Sequence, residues 1–338
     1  MKTFFEEGEP PIRPLRSGKP AAKRALKGQD LQLKTILVPL DFSRGSMQAL
    51  KYTVPLAKEF GAAIHLVHVQ PADEFTAIEN AGGLMLSCAD SLALMQDRLS
   101  EALPKQERFW PENCHVVSGR PFEEICKLAG RLDASLIVLP TRGLGRLKHI
   151  FLGSTAERVV RYASCPVLIP RGTQFKSTAW NGSSAGARFA LRKILVPVDF
   201  SDCSLAGVRY AARLAKRTGA TLRLLHVVFP HTEMLTLDRV SGDLTTLARA
   251  AKITARTRMK KLMAMRFLKD VRFEVVIRTG AAIDTICGET GRSDIDLIVI
   301  STHGRTGFQR AMIGSVAEHV ARYAKCPVLI VPSRGCTS

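Results

Sequence analysis

Two acidic residues stand at the same place in two copies of one short motif. Asp41 lies in Pro-Leu-Asp-Phe-Ser and Asp199 in Pro-Val-Asp-Phe-Ser, and an apolar run that predicts a buried β-strand precedes each. A carboxylate directly after a strand can accept hydrogen bonds from an amine or hydroxyl group of a ligand. It can equally cap the helix that follows, as the neighbouring serine can. The motif on its own favours neither interpretation.

A second candidate group combines glycines with a serine. Residues 140–143 (Pro-Thr-Arg-Gly) and 301–304 (Ser-Thr-His-Gly) are each followed by nine residues and then by a Gly-Ser pair, Gly153-Ser154 or Gly314-Ser315. Glycine lets the backbone approach a phosphate closely, and the N–H groups and dipole of a helix start attract anions. The glutamate three residues after each serine predicts a capping box, so plain capping is the alternative. Because the spacing occurs twice, we favour an anion site.

The third candidate is the end of the second apolar run in each copy, His68-Val69 and His226-Val227. A backbone edge at this position could pair with a flat heterocycle. The two histidines lie within apolar strands and have no matching acid or nucleophile nearby. We therefore expect them to be packed core residues and not ligands or bases.

These residues recur because the whole chain is a tandem duplication. The offset between copies is 158 residues from Asp41 to Asp199 and 161 residues from Gly153 to Gly314. A period this long is a whole domain, since the units of solenoid proteins are about 20–50 residues long. We predict a disordered basic tail at 1–30, domains at 31–171 and 192–338, and a linker at 172–191.

Each copy predicts an α/β domain with a doubly wound sheet. Five short apolar runs alternate with segments of helical periodicity, which is typical of a parallel sheet covered by helices on both faces. Ligands of such sheets bind where the strand order reverses, at the carboxyl ends of the strands. If the strand order is 3-2-1-4-5, the Asp and the glycine loops face each other across that crevice, between strands one and four.

Composition excludes several classes of protein. No apolar run approaches the roughly 18 residues of a membrane helix, and the first residues form no signal-peptide core. The eight cysteines show no CxxC pair, so we expect free thiols, no metal site and a cytoplasmic location.

The net charge of +19 is concentrated in the second half of the chain. Residues 172–338 carry 26 Lys and Arg against 12 Asp and Glu, and the densest stretch is Lys252–Arg272. Such a stretch could attract nucleic acid, anionic lipid or an acidic protein. We favour a solvated helix face and expect no nucleic-acid or membrane partner, because Phe267 is the single aromatic residue of the stretch and no nucleic-acid motif appears.

The combined motifs resemble those of the universal stress protein family. The matching residues are Val-Pro-x-Asp-Phe-Ser, Leu-His-Val, Thr-His-Gly-Arg-Thr-Gly307, Gly-Ser-Val-Ala-Glu318 and the terminal Cys-Pro-Val-Leu-Ile. The resemblance covers about residues 33–171 and 192–333 and implies two five-stranded parallel-sheet sandwich domains of order 3-2-1-4-5. One branch of the family binds ATP through G-x-x-G-x9-G-[ST], and the other lacks this motif and binds no nucleotide.

Both copies depart from the ATP-binding motif at its first glycine. Ser301 stands there in copy two and Pro140 in copy one. Serine is small, whereas proline lacks an N–H and adds a ring where a ligand approaches. We therefore favour a nucleotide site in domain 2, at Pro197, Val198, Asp199, Val227, Ser301, His303, Gly304, Gly314, Ser315 and Val316. The corresponding weaker site is at Asp41, Val69, Gly143, Gly153, Ser154 and Thr155.

Two functions follow from the resemblance. The first is a stress-response or regulatory protein that binds ATP or another adenine nucleotide, with Mg²⁺ accompanying the ATP. The second is a nucleotide-free interaction module. The chain lacks signatures of adenylate-forming or kinase enzymes, so we expect at most slow ATP hydrolysis. Because members of this family form dimers, the resemblance implies that the two domains pair with each other within the chain. The sequence does not decide whether two whole chains also form a homodimer.

Overall fold

The computed structural model describes residues 31–70, 88–102, 111–140, 153–171, 189–229, 244–292, 294–302 and 313–332. The chain divides into two compact units. One unit is Gln32–Ala190, called domain 1 below, and the other is built on Leu191–Ser338, called domain 2. The predicted tail and residues 172–188 of the predicted linker lie outside the described residues.

Domain 1 alternates strands and helices in the predicted order. Its elements are β1 (Thr35–Pro39), α1 (Arg44–Phe60), β2 (Ala63–Gln70), α2 (Cys88–Ala102), β3 (Cys114–Ser118), α3 (Pro121–Arg131), β4 (Leu136–Val138), α4 (Ser154–Tyr162) and β5 (Val167–Ile169).

Domain 2 repeats this series. Its elements are β6 (Lys193–Pro197), α5 (Asp202–Thr218), β7 (Thr221–Val228), α6 (Leu244–Met263), β8 (Phe273–Thr279), α7 (Ala282–Arg292), β9 (Leu297–Ser301), α8 (Ser315–Tyr323) and β10 (Val328–Val331). A short 3₁₀ turn, Arg266–Leu268, follows α6.

The strand order confirms the predicted doubly wound fold. It is β3-β2-β1-β4-β5 in domain 1 and β8-β7-β6-β9-β10 in domain 2. The described pairs within each domain are parallel. Central strands are buried on both faces, since Ile194, Leu195 and Val196 of β6 are at most 1% exposed. Burial of both faces explains why the strands are continuous apolar runs.

The first helix of each domain has a serine cap, and the Asp of the motif is not the cap. The Oγ atoms of Ser43 and Ser201 accept hydrogen bonds from the N–H groups of Ser46 and Ser204, at 3.2 and 3.1 Å. The helices end at Gly61 and Gly219, which have left-handed φ angles of 66° and 76°. Glycine adopts this conformation without the steric cost of a Cβ atom.

Domain 2 contains a buried network of charged residues that the sequence patterns do not predict. Arg223 of β7 is 6% exposed, and it donates to Glu274 Oε1 at 2.8 Å and lies 2.7 Å from Glu289 Oε2. Burial alone would lower the pKa of Arg223, but its bonds and charge interactions with the two glutamates raise it. The network ties α7 to β7 and β8.

Candidate functional site

A cavity of about 250 Å³ opens at the carboxyl ends of the domain 2 strands. It lies where β6 has β7 on one side and β9 on the other, so it occupies the point at which the strand order reverses. Its walls come from the ends of β6, β7 and β9 and from the beginnings of α5, α7 and α8. The lining residues are Pro197, Val198, Asp199, Ser204, Leu225, Val227, Ala282, Ile286, Ile300, Ser301, Thr302, Gly314, Ser315, Val316 and Ala317.

A turn at the end of β6 presents Asp199 to the cavity. Oδ1 of Asp199 accepts hydrogen bonds from the N–H of Ser201 at 2.9 Å and from its Oγ at 2.6 Å. The next residue, Phe200, has a left-handed φ of 65°, which is costly for a bulky side chain. Its ring lies 4.5 Å from the ring of His226. Packing of the aromatic ring thus helps to hold the turn that orients the carboxylate.

The same turn is present in domain 1. Phe42 has a φ of 57°, and its ring lies 5.3 Å from that of His68. Oδ1 of Asp41 accepts a hydrogen bond from the N–H of Ser43 at 3.0 Å. The Asp-Phe-Ser motif therefore has one local structure in both domains, whatever it binds.

His226 shapes the wall formed by β7. The paired register of β6 and β7 ends at Pro197 and Leu225, and the N–H of Val198 then donates to the carbonyl of Leu225 at 2.8 Å. The ring of His226, which is 7% exposed, lies with Nδ1 2.6 Å from the carbonyl oxygen of Val198. His226 is therefore a packed structural residue, as its apolar strand predicts. Val227 follows it and lines the cavity.

The opposite wall is the beginning of α8, where the predicted capping box is wrong. The helix N-cap is Gly314, with no side-chain cap, and Ser315 is the first helical residue. The N–H of Gly314 donates to the carbonyl of Thr302 at 2.7 Å. This hydrogen bond holds Gly314 as the N-cap, one residue before the predicted cap Ser315. Glu318, expected to cap, instead pairs with Arg322 at 2.5 Å.

The predicted capping box is also wrong in domain 1. Gly153 is the N-cap of α4 without a side-chain cap, and Glu157 pairs with Arg161 at 3.3 Å. Because a glycine cap has no side chain, the N–H groups of the first helical turn keep their capacity to bind an anion.

Most of the predicted domain 2 residues meet in this cavity. Eight of the ten line it, namely Pro197, Val198, Asp199, Val227, Ser301, Gly314, Ser315 and Val316. His303 and Gly304 lie outside the described residues. Sequence reasoning missed the apolar wall from Ala282 and Ile286, because nothing in their pattern separates a cavity wall from an ordinary helix face.

The weaker domain 1 set is described in part. Asp41 follows β1, Val69 lies in β2, and Gly153, Ser154 and Thr155 form the beginning of α4. Pro140 follows β4, and Gly143 lies outside the described residues.

The described residues contain neither a metal-ligand cluster nor a membrane-spanning helix. No group of three or more His, Cys, Asp or Glu residues there is arranged to hold a metal ion. None of the described helices is both long enough and apolar enough to cross a membrane.

The chain matches proteins of one family along most of its length. The model of the Universal stress protein family matches residues 32–171 and 190–332. Universal stress protein MJ0531 of Methanocaldococcus jannaschii is 35% identical over 141 residues, which are 40% of this chain and 81% of that protein.

One solved structure in particular shares the fold of this chain. The crystal structure of a universal stress protein from Archaeoglobus fulgidus covers 89% of this chain and 99% of its own, with 20% identity and a TM-score of 0.58. A universal stress protein crystallised with cAMP covers 42% of this chain and 98% of its own, with 26% identity and a TM-score of 0.29. With both halves matched by the family model, this chain belongs to the universal stress protein family and carries the domain twice.

Proposed function

We propose that domain 2 binds an adenine nucleotide and that the protein acts as a nucleotide-responsive stress or regulatory protein. The observation that carries this proposal is the cavity at the strand-order reversal, with a carboxylate, a strand edge and an uncapped helix start on its walls. Such a crevice is where ligands bind in open α/β sheets.

The three walls suit the three parts of a nucleotide. We place the base at the backbone edge of Val227, with Ile286 and Leu225 supplying apolar contacts. Asp199 holds the adenine or ribose end, and the half-buried state of its carboxylate strengthens a hydrogen bond to a hydroxyl or amine. The phosphates lie at Gly314 and Ser315, where the helix dipole and the first-turn N–H groups attract anions.

The cavity volume limits how much ligand is enclosed. About 250 Å³ lies a little below the roughly 300–1,000 Å³ of typical ligand pockets. We infer that the nucleoside end is enclosed and that the phosphates are held at the rim, where Mg²⁺ could accompany ATP. We expect at most slow hydrolysis of bound ATP and propose a binding role, not a catalytic one.

Calorimetric titration of the full chain with ATP, ADP, AMP and cAMP tests this function. We expect saturable binding of at least one adenine nucleotide and no comparable binding of a pyrimidine triphosphate, which cannot match the purine edge. Absence of binding by every adenine nucleotide at millimolar concentration would refute the proposal.

Ser301 favours one competing function. It stands where the ATP-binding motif has glycine, is 7% exposed and lines the cavity, so its side chain takes space that a ligand would use. On this alternative the chain is a nucleotide-free interaction module. A Ser301→Gly variant separates the two, because it should create nucleotide binding in a module that lacks it but change an existing affinity only modestly.

Location and assembly are part of the same proposal. Cys114 and Cys203 are buried free thiols, which suits a reducing cytoplasm. We also propose that the two domains pair within one chain, and that any homodimer forms in addition to this pairing.

A further inference from the structure

We propose that α5 and α6 of domain 2 form a binding surface for the phosphate backbone of a nucleic-acid duplex, without base specificity. Sequence alone favours a solvated face for the basic stretch Lys252–Arg272. The structure adds a second basic helix beside it.

The two helices lie on the same face of the domain 2 sheet. The crossovers from β6 to β7 and from β7 to β8 run in the same direction across the sheet, and right-handed crossovers put both helices on the same side. The turn after α6 packs on α5, because the guanidinium carbon of Arg209 lies 5.5 Å from the ring centre of Phe267. Arg272 donates a hydrogen bond to the carbonyl of Gly219, the cap of α5.

This surface, called the basic face below, consists of α5, α6 and residues 264–272 after α6, and it is densely positive. Eleven exposed cations belong to it, against two exposed carboxylates, Asp202 and Asp270. The cations are Arg209, Arg213, Lys216, Arg217, Arg249, Arg258, Lys260, Lys261, Arg266, Lys269 and Arg272.

Domain 1 shows that the fold does not require this charge. Its corresponding helices are α1, with three basic residues and one acid, and α2, with one basic residue and three acids. Their formal charges cancel, whereas α5 carries four basic residues and one acid, and α6 six basic residues and no acid. The basic face is therefore an addition to domain 2 and not a property of the α/β sandwich.

The composition of the basic face favours a phosphate backbone over a membrane or the bases themselves. Large apolar side chains beside the cations strengthen the adsorption of a helix to anionic lipid. On the described parts of α5 and α6, only Ile253 is an exposed large hydrophobic residue. The 20-residue α6 is about 30 Å long, and a duplex presents a charge about every 1.7 Å of its axis. Phosphate contacts carry no sequence information, so binding should be nonspecific.

The test is fluorescence anisotropy of the full chain with a labelled 24-base-pair DNA duplex and an RNA duplex of the same sequence, from about 50 to 200 mM salt. Three double variants each remove two cations: Lys260→Gln with Lys261→Gln, Arg213→Gln with Lys216→Gln, and the control Lys51→Gln with Lys58→Gln in α1. Lys58 is the matched position of Lys216. Circular dichroism checks that each variant folds.

We expect wild-type binding in the range of about 10⁻⁴ to 10⁻⁶ M that falls steeply with salt. Each domain 2 variant should weaken it about ten-fold or more and reduce the slope of log K against log salt by about 2, and the control should change neither. Equal losses in the control, no duplex binding by wild type, or binding only to vesicles of anionic lipid would overturn the proposal.

Discussion

Nδ1 of His226 lies 2.6 Å from the carbonyl oxygen of Val198, and Nδ1 of His68 lies 2.8 Å from the carbonyl oxygen of Leu40. In both domains a histidine of the second strand thus bonds to the residue before the motif Asp. The ring also contacts the left-handed Phe of that motif. In each domain, this imidazole therefore connects the second strand to the turn that carries the motif Asp.

Replacing His226 with Phe should destabilise domain 2 by about 1–3 kcal/mol, because the carbonyl of Val198 loses its partner in a buried site. The variant should also weaken nucleotide binding, since the turn that carries Asp199 loses its support. Denaturant unfolding and calorimetric titration measure the two effects. His68→Phe is the matched control, expected to lose similar stability while keeping the ATP affinity; an unchanged affinity in the His226 variant would contradict the link.

Part of this arrangement follows from sequence, and part does not. The duplication and the buried apolar runs predict both sheets and bring Asp199, Val227 and the Gly314-Ser315 pair to one edge. The start of α8 does not follow from local pattern, because a tertiary hydrogen bond from Gly314 to Thr302 sets it and leaves Ser315 inside the helix. The burial of Arg223 does not follow from local pattern either, because its partners Glu274 and Glu289 lie far along the chain.

A histidine pair gives domain 1 a dependence on pH. Nδ1 of His65 lies 3.1 Å from Nε2 of His115. Burial lowers the pKa of both rings below 6.5, and the charges of His65 and Arg131 further lower the pKa of His115. The unfolded chain therefore binds protons more tightly, so the stabilisation is complete above about pH 6.5 and is lost as pH falls from there through the lowered pKa values of the folded protein.

His115→Val tests this dependence, because Val276 stands at the matched position of domain 2. Between pH 7.5 and 5.5, the wild-type protein should lose more unfolding free energy than the variant, as measured by denaturant titration. Parallel losses in the two proteins would show that the pair does not titrate on unfolding.

The two domains should remain paired after the chain between them is cut. β5 and β10 are the last strands of their sheets and are fully buried apolar runs, each paired on one side with β4 or β9. An apolar strand edge left open is an aggregation hazard, so we predict antiparallel pairing of these two strands. Limited proteolysis within 172–191 should give two fragments that elute together on a sizing column. Fragments that elute separately would rule out the pairing.

The most direct measurement for the nucleotide site is the ATP affinity of Gly314→Val compared with that of Gly153→Val. Valine at Gly314 puts a branched side chain where the phosphates must lie. Loss of about 1–3 kcal/mol of helix-start contacts predicts roughly 5- to 150-fold weaker binding. Gly153→Val should weaken ATP binding much less, because Pro140 already makes the domain 1 site a poor one. Equal losses would mean two working sites, and a loss confined to Gly153→Val would contradict the assignment of the site to domain 2.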